Sequence, residues 1–592
     1  MEKVKGKIFD TKLFGKLLAF VKPYNITFFG VMLSAIIISL LSTLTPYLLK
    51  VVVDDYLLTK NYEGMLVIIL IMIVVLFSEV VFMYIFTYNA NWLGQKVIKD
   101  LRVNVFQKII KFKMSFFDRN AVGRLVTRTV NDIETIASIF SQGLFTIIAD
   151  FLKMATVITV MTIISVELTI VVISIFPLLI YATRVFQKSM KTAFEKVRIE
   201  VANLNSFVQE RISGVKIVQI FNREKIEKDN FNEINLKHRD AWLRTVWINS
   251  IFFPIAEIST SICIGLLVWY GGFKNISGET ISLGTLFLFI SMSGLLFRPL
   301  RQIADRFNTL QMGMVSTERI FKILEDNLEI NNKGKIEQNS FSGEIEFKNV
   351  NFSYIKNQKV LDNISFKINP SETFAIVGPT GSGKTTITNL ITKFYELDSG
   401  NILLDGNDID SYNLENIRNK IGIILQDVFL FADTIFNNIT LFNEKISIQD
   451  VEKAAKELEI HDFITSLPNG YNFNVSERGT TLSSGQKQLI AFLRVLVNNP
   501  DILILDEATS SIDSYSEDLI KKATNKITKG KTSIIIAHRL STVESADKII
   551  YMENGKILEY GNHKELLNIN DGKFKKLYEE QSLENQLAQP IN

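Results

Sequence analysis

Six stretches of roughly 20 apolar residues fill the first half of this chain, and each is about long enough to cross a bilayer as a helix. They run over Ile26–Leu49, Gly64–Tyr88, Ser138–Ile164, Leu168–Phe186, Ile248–Gly272 and Ile281–Leu300. A chain with six such spans is expected to be an integral membrane protein in contact with the lipid bilayer, whatever else it carries. Composition agrees: 47% of the residues are hydrophobic, and Phe alone occurs 43 times. At 592 residues the chain is also too long for one core, so two or more domains are expected.

The connections between the stretches set their orientation. The short connections hold few cations, Lys60 and Lys274 among them, whereas the long ones, Asn91–Ala137 and Gln187–Trp247, hold about twenty Lys and Arg. By the positive-inside rule the long connections face the cytoplasm, and both termini then lie inside. Both long connections are helical in pattern. They imply helices that continue past the membrane surface, turn at Phe112–Asp118 with Gly123 and at Ile212–Phe221 with Gly214, and return. Phe116, Phe117 and Phe221 at these turns need a burial partner, which a cytoplasmic domain would supply. Ahead of the first span, Thr11–Val21 reads as an amphipathic helix lying in the membrane interface. The start lacks a long apolar core followed by a small-residue cleavage site, so no cleavable leader is expected.

Several function classes are disfavoured. A net charge of +3 gives no nucleic-acid footprint, so no nucleic-acid partner is expected. A single cysteine, Cys263, excludes an intrachain disulfide framework or a Cys-based zinc site, and it is expected in a core or against lipid. Four histidines argue against a His-rich metal site. His461 and His563 are expected on surface helices and His238 on a cytoplasmic helix.

We expect a multidomain protein: an all-α six-helix transmembrane domain over 1–324, a polar Asn-rich linker over 325–343, an α/β domain over 344–582 that the run Gly378-Pro-Thr-Gly-Ser-Gly-Lys-Thr385 marks as a P-loop nucleotide-binding domain, and a tail over 583–592. Ile345–Tyr354 alternates like a strand, and further strands are expected at Thr373–Val377, Ile402–Leu404, Gly422–Leu425, Ile502–Asp506, Thr532–Ala537 and Lys548–Glu553.

The chemistry lies in this second half. Gly378, Pro379, Thr380, Gly381, Ser382, Gly383, Lys384 and Thr385, followed by Thr386, form a full Walker A pattern between an apolar strand and a helix-like segment. Its glycines let backbone N–H groups wrap phosphates, Lys384 neutralises their charge, and Thr385 offers a hydroxyl to Mg²⁺. Asp506 and Glu507 close an apolar strand at the end where α/β sheets bind ligands. Asp506 suits Mg²⁺, and Glu507 suits a general base that polarises the attacking water. Gln426, just after a strand, can reach Mg²⁺ and the water, and His538 at another strand end can contact the γ-phosphate. Tyr354 precedes the phosphate loop and can stack on adenine. Leu482-Ser483-Ser484-Gly485-Gln486 is a turn opening a helix, a second anion site in a chain that already has one.

In this order, Tyr354, Walker A, Gln426, the LSSGQ signature, Walker B with Glu507, Ser510–Asp513 and His538 resemble the nucleotide-binding domain of ATP-binding-cassette (ABC) proteins. The six-span half resembles the exporter-type transmembrane domain, and Ser476-Glu477-Arg478-Gly479 resembles the exporter element that touches the intracellular loops. The resemblance implies ATP as nucleotide and a second ABC half-transporter as partner, since each ATP lies between one chain's Walker A and the other's signature. Ser483, Gly485 and Gln486 would then contact the partner's nucleotide. The resemblance further implies ATP-driven export of hydrophobic or amphipathic compounds, of multidrug type, across the cytoplasmic membrane. A lipid flippase, or an ATP-gated channel or regulatory membrane protein, are the alternatives.

Ser484 departs from the usual Gly of the signature and adds a side chain where phosphate approaches the backbone. An altered signature beside an intact Glu507 and His538 resembles the acid-retaining subunit of bacterial heterodimeric exporters, so a heterodimer is favoured over a homodimer. Within or near the spans, Glu79, Asp150, Lys153, Glu257 and Arg298 are candidates for substrate contact. Asp150 and Lys153 are spaced to pair on one helix, Arg298 to snorkel, and Glu79 and Glu257 to meet a cationic substrate.

Overall fold

The computed structural model describes residues 11–276, 281–330, 332, 334–506, 514–537 and 543–587. Two compact units emerge. One comprises residues up to Ile110 together with Ala121–Asn327, and the other comprises Lys111–Asn120 and the chain from Leu328 onward. The second unit thus includes a ten-residue piece from the middle of the first.

The first unit is all-helical. Six helices among the described residues are long and apolar enough to cross a membrane: Lys22–Leu57, Tyr62–Ile109, Val122–Ile164, Val166–Ser213, Glu224–Lys274 and Leu283–Leu300. The 48 residues of Tyr62–Ile109 rise roughly 70 Å, against about 30 Å of hydrocarbon, so much of that helix must run outside the bilayer. Six-residue helices, Met114–Arg119 and Val215–Ile220, occupy the two expected turns. Phe112 and Phe116 are buried with their rings 4.5 Å apart, whereas Phe221 stays 67% exposed.

Local signals explain the helix starts. The Asn61 side chain accepts from the Gly64 N–H at 3.0 Å, and Ser282 accepts from the Thr285 N–H at 3.1 Å. Asp54 adds a second acceptor at the start of helix Leu283–Glu325, taking the Gly284 N–H at 2.8 Å. The third span departs from a plain α-helix, with π segments at Arg128–Asp132 and Ile139–Leu144. Tertiary contacts surround both. Asp132 accepts from Ser316 at 3.2 Å and pairs with Arg319 at 3.4 Å, and a Cβ on Gly313 would collide with Ile139. The N-terminal helix Thr11–Ala19 buries Leu17, Phe20 meets Phe321 edge-on at 6.1 Å, and Lys16 pairs with Glu325. Cys263 is fully buried in the helical core.

The charges of the spans pair differently from the sequence expectation. Asp150 pairs with Arg306, not with Lys153, and Arg306 also donates to Gln302 at 2.7 Å. Lys153 lies within electrostatic reach of Glu79, Asp150 and Arg298. Glu79 is half-buried and Glu257 is exposed.

The second unit is α/β. Its strands are β1 (Ile345–Phe352), β2 (Leu361–Ile368), β3 (Thr373–Val377), β4 (Ser399–Leu404), β5 (Asn407–Asp408), β6 (Ile421–Ile424), β7 (Ile502–Asp506), β8 (Thr532–Ile536), β9 (Lys548–Glu553) and β10 (Lys556–Gly561). They form an antiparallel sheet of order β2-β1-β4-β5 and a larger sheet of order β10-β9-β3-β8-β7-β6. In the larger sheet β9, β3, β8, β7 and β6 are parallel, and β10 closes the edge antiparallel to β9. β2, β5 and β10 were not expected from the sequence. Their polar residues mask the alternation that β2 shows once folded, Leu361, Ile364, Phe366 and Ile368 facing inward.

The central strands are buried on both faces, as parallel strands must be. Phe374, Ile376, Ile502, Ile504 and Ile534 enter one apolar cluster, while Ala375, Val377, Leu503, Leu505 and Ile535 enter the other. The two-residue period of a strand therefore divides its side chains between two cores. This double burial fixes where each strand ends, and hence where the chemistry sits.

Candidate active site

β3 delivers the chain into the phosphate loop. Gly378, Gly381 and Gly383 have φ of 145°, 84° and 102°, a region that disfavours side chains. At Gly378 a Cβ would also strike the Met552 carbonyl, and at Gly383 it would lie 2.7 Å from Leu361. The loop then turns into helix Lys384–Ile391, whose first N–H groups have no preceding helical carbonyl and point toward the loop.

Lys384 is only 7% exposed. Its Nζ donates to the carbonyls of Gly378 at 2.7 Å and Pro379 at 3.0 Å, so the loop folds over its own cation. Burial holds the Lys384 ammonium below the ordinary lysine range, and the charge of Asp506 opposes that shift. The Ser382 hydroxyl is buried and has no hydrogen-bond partner among the described residues. A buried orphan hydroxyl and an ammonium that donates to two backbone carbonyls are the features expected of a cradle shaped for an anion. Thr385 is exposed at its mouth, and Thr386 is buried.

Strand register brings the acids to the same end. Asp506 on β7 lies level with Ile536 on β8, which in turn lies level with Ile376 on β3. Two strand spacings, about 10 Å, therefore separate Asp506 from the base of the phosphate loop. Ile424 of β6 pairs with Leu505, so the exposed Gln426 emerges beside Asp506. Thr385, Gln426 and Asp506 offer oxygen donors of the kind that a hard divalent cation takes alongside phosphate oxygens and water. Glu507, His538 and Ser510–Asp513 lie outside the described residues; the strands leading to Glu507 and His538 end at this same edge.

Tyr354 follows β1. Its hydroxyl lies 3.2 Å from both Thr386 Oγ1 and Asn389 Nδ2 on the helix that starts at Lys384. Its ring meets Phe352 at 4.8 Å and Tyr395 at 4.9 Å, both edge-on. Tyr395 was not singled out in the sequence; it follows a helix end, where neither period nor motif marks it.

The signature turn opens helix Ser484–Asn498. Ser483 and Gln486 form a capping box: the Ser483 hydroxyl accepts from the Gln486 N–H at 3.2 Å, and the Gln486 side chain accepts from the Ser483 N–H at 2.9 Å. The hydroxyl thus accepts within the turn and keeps its proton to donate outward. Ser484 is the first helical residue and is exposed, while Gly485 is buried. Gln488 of this helix and Asp506 line one small cavity, so the signature helix is seated on the strand that carries the acid. Before the signature, Arg478 adopts a left-handed backbone with φ of 56°.

His461 and His563 open short helices, as expected, and both are half-buried. His461 Nδ1 lies 2.9 Å from the Tyr471 hydroxyl, and burial pushes that phenol up to about 12. His563 packs against Phe574 and Tyr578.

Comparison with known proteins agrees with this geometry. Residues 28–300 match the ABC transporter transmembrane region, and residues 361–510 match the ABC transporter domain. An uncharacterized ABC transporter ATP-binding protein of Bacillus subtilis is 36% identical over 95% of this chain and 93% of its own length. A second Bacillus subtilis protein, whose name assigns it provisionally to multidrug export as an ATP-binding/permease protein, is 34% identical over 96% and 99%. An ATP-dependent lipid A-core flippase of Syntrophus aciditrophicus is 34% identical over 98% and 96%. The chain belongs to the ABC transporters, as an exporter-type half-transporter in which a six-span membrane domain precedes one ATP-hydrolysing cassette.

Proposed function

We propose that this chain is one half of a dimeric exporter that uses ATP to move hydrophobic or amphipathic compounds across a bacterial cytoplasmic membrane, with both termini in the cytoplasm. The supporting observation is the phosphate cradle of Ser382 and Lys384, set in a chain with six membrane-length helices. Lys384 would leave its carbonyl partners for the β- and γ-phosphates, and Ser382 and the glycine N–H groups would hold the remaining oxygens. Thr385 and Asp506, with Gln426 alongside, would hold Mg²⁺, which neutralises phosphate charge when bound. Tyr354 would stack on the base. Glu507 would orient the attacking water and take its proton, and His538 would contact the γ-phosphate. Ser483, Gly485 and Gln486 would meet the nucleotide of the partner half.

ATP binding then draws two cassettes together, and the short helices at 114–119 and 215–220 pass the movement along the chain to the spans. Hydrolysis resets the pair, which makes the bound phosphate the bias on a two-state element. A lipid is the second reading for the cargo, because relatives of similar identity are named flippases. The test is the purified transporter in sealed vesicles. We expect ATP-dependent accumulation of an amphipathic dye and dye-stimulated ATP hydrolysis. Stimulation by lipid alone would favour the flippase reading, and passive ion flux at fixed ATP without dye uptake would overturn export.

Ser484 supports a heterodimer whose other half lacks a working acid. Its side chain adds bulk at an exposed position that faces the partner's phosphate in this reading. Ser484→Gly is expected to tighten ATP binding at the composite site several-fold, since about 1 kcal/mol is roughly fivefold in a binding constant. Unchanged ATP affinity at that site would remove Ser484 as the cause of its weakening.

A further inference from the structure

The segment Lys111–Asn120 joins two helices of the membrane unit but belongs to the cassette unit. Three kinds of contact hold it there. The Lys113 N–H donates to the Leu328 carbonyl at 2.8 Å and the Ile330 N–H to the Lys111 carbonyl at 3.0 Å, a short antiparallel bridge centred on Phe112 and Glu329. Lys113 pairs with Glu396 at 2.8 Å. The Tyr395 hydroxyl donates to Asp118 Oδ2 at 2.6 Å.

The last contact differs from the others in where it leads. The Tyr395 ring lies edge-on to Tyr354, with centroids 4.9 Å apart and planes at 89°. Tyr354 in turn holds Thr386 and Asn389, on the helix that carries Lys384. Tyr395 itself is tied to that helix by its neighbour, since the Phe394 N–H donates to the Asn389 carbonyl at 3.0 Å. Named contacts therefore run without a gap from the phosphate-loop helix through Tyr354 and Tyr395 to Asp118.

We propose that Tyr395 is a positioning residue that relays nucleotide occupancy at Tyr354 to the 111–120 segment through its hydrogen bond to Asp118. The proposal rests on the reading of Tyr354 as the residue that stacks on the base. An edge-on pair is sensitive to tilt, because it depends on the ring edge meeting the opposing face. A Tyr354 ring turned to stack on a base changes that angle, and the Tyr395 ring follows or loses its contact. Burial and the Asp118 carboxylate both hold the Tyr395 phenol above its ordinary value, so it stays a donor across the physiological range. Glu396, adjacent to Tyr395, grips Lys113, so two neighbouring side chains hold both ends of the short helix Met114–Arg119. Coupling of this kind is reciprocal: whatever loosens Asp118 from Tyr395 must also change how nucleotide and segment influence each other.

The test uses the full chain with its partner half, Cys263→Ser, and a fluorophore at Arg119→Cys on the exposed face of the segment. The non-hydrolysable analogue AMP-PNP is titrated, reading its affinity and the change in label emission at saturation. We expect Tyr395→Phe, which keeps the ring, to bind AMP-PNP within about twofold of the parent yet to lose at least about fivefold of the label response, the low end of allosteric coupling factors. Asp118→Ala, which removes the acceptor, should behave alike, and the double variant should be no worse than either single one, as one shared contact requires. Tyr395→Leu should weaken AMP-PNP binding as well, because Tyr354 loses its neighbour. A full label response in Tyr395→Phe, a label silent in the parent despite bound AMP-PNP, or equal loss of affinity in Phe and Leu variants would each overturn the relay. A parent that binds no AMP-PNP at all would instead overturn the nucleotide-site reading.

Discussion

Lys384→Ala is expected to lower ATP turnover by about 10²–10³-fold, the usual loss when one preorganised charge-stabilising donor is removed. The argument starts from burial. Lys384 is nearly inaccessible and its charged form is held against desolvation by two carbonyls and the field of Asp506. An ammonium kept in that position gains a far better partner when a triphosphate arrives, so part of the binding energy comes from ending an unfavourable arrangement. Alanine removes the charge but is a strong helix former, so the helix Lys384–Ile391 should persist. Circular dichroism and thermal unfolding should therefore match the parent while nucleotide binding and hydrolysis fail. Turnover within tenfold of the parent would mean that the loop does not bind the reacting phosphates.

The largest expected effect on stability lies in the membrane unit, at Asp150→Ala. Asp150 pairs with Arg306 across 156 positions of sequence, and their side chains are 24% and 19% exposed. Breaking a buried pair leaves an uncompensated charge and costs about 3 kcal/mol or more; partial exposure makes about 3 kcal/mol the upper figure here. Gln302 stays as a partner for Arg306 but carries no charge to balance it. Replacing both members with apolar residues, Asp150→Ala with Arg306→Met, should recover most of the loss, because neither charge is then stranded. The measurement is a double-mutant cycle on thermal unfolding in detergent. Additive losses would show that the pair is a surface contact with no net energy.

What the sequence determined by itself is everything that depends on neighbours along the chain. Span length against bilayer thickness is a local count, so the six membrane-length helices were readable. The Walker A loop was readable because strand, glycines and Lys384 are contiguous, and their required backbone angles belong to the residues themselves. The capping pair Ser483 and Gln486 is likewise three residues apart. The five parallel strands announced themselves as apolar runs, whereas β2 and β10 did not, since polar residues on their open faces interrupt the pattern.

Only the tertiary structure decided which distant groups meet. Asp150 chose Arg306 over the nearer Lys153, a preference set by how the helices Phe145–Ile164 and Leu283–Glu325 pack and not by helical spacing. The π segments of the third span lie against Gly313 and Ser316, which sequence distance hides. Tyr395 carries no motif, yet packing places it between Tyr354 and Asp118. Helix period, span length and phosphate-loop geometry are properties of short chain segments, so they survive in the one-dimensional sequence. Ion pairs, ring contacts and the allegiance of Lys111–Asn120 to the cassette unit arise only when separate segments compete for the same space.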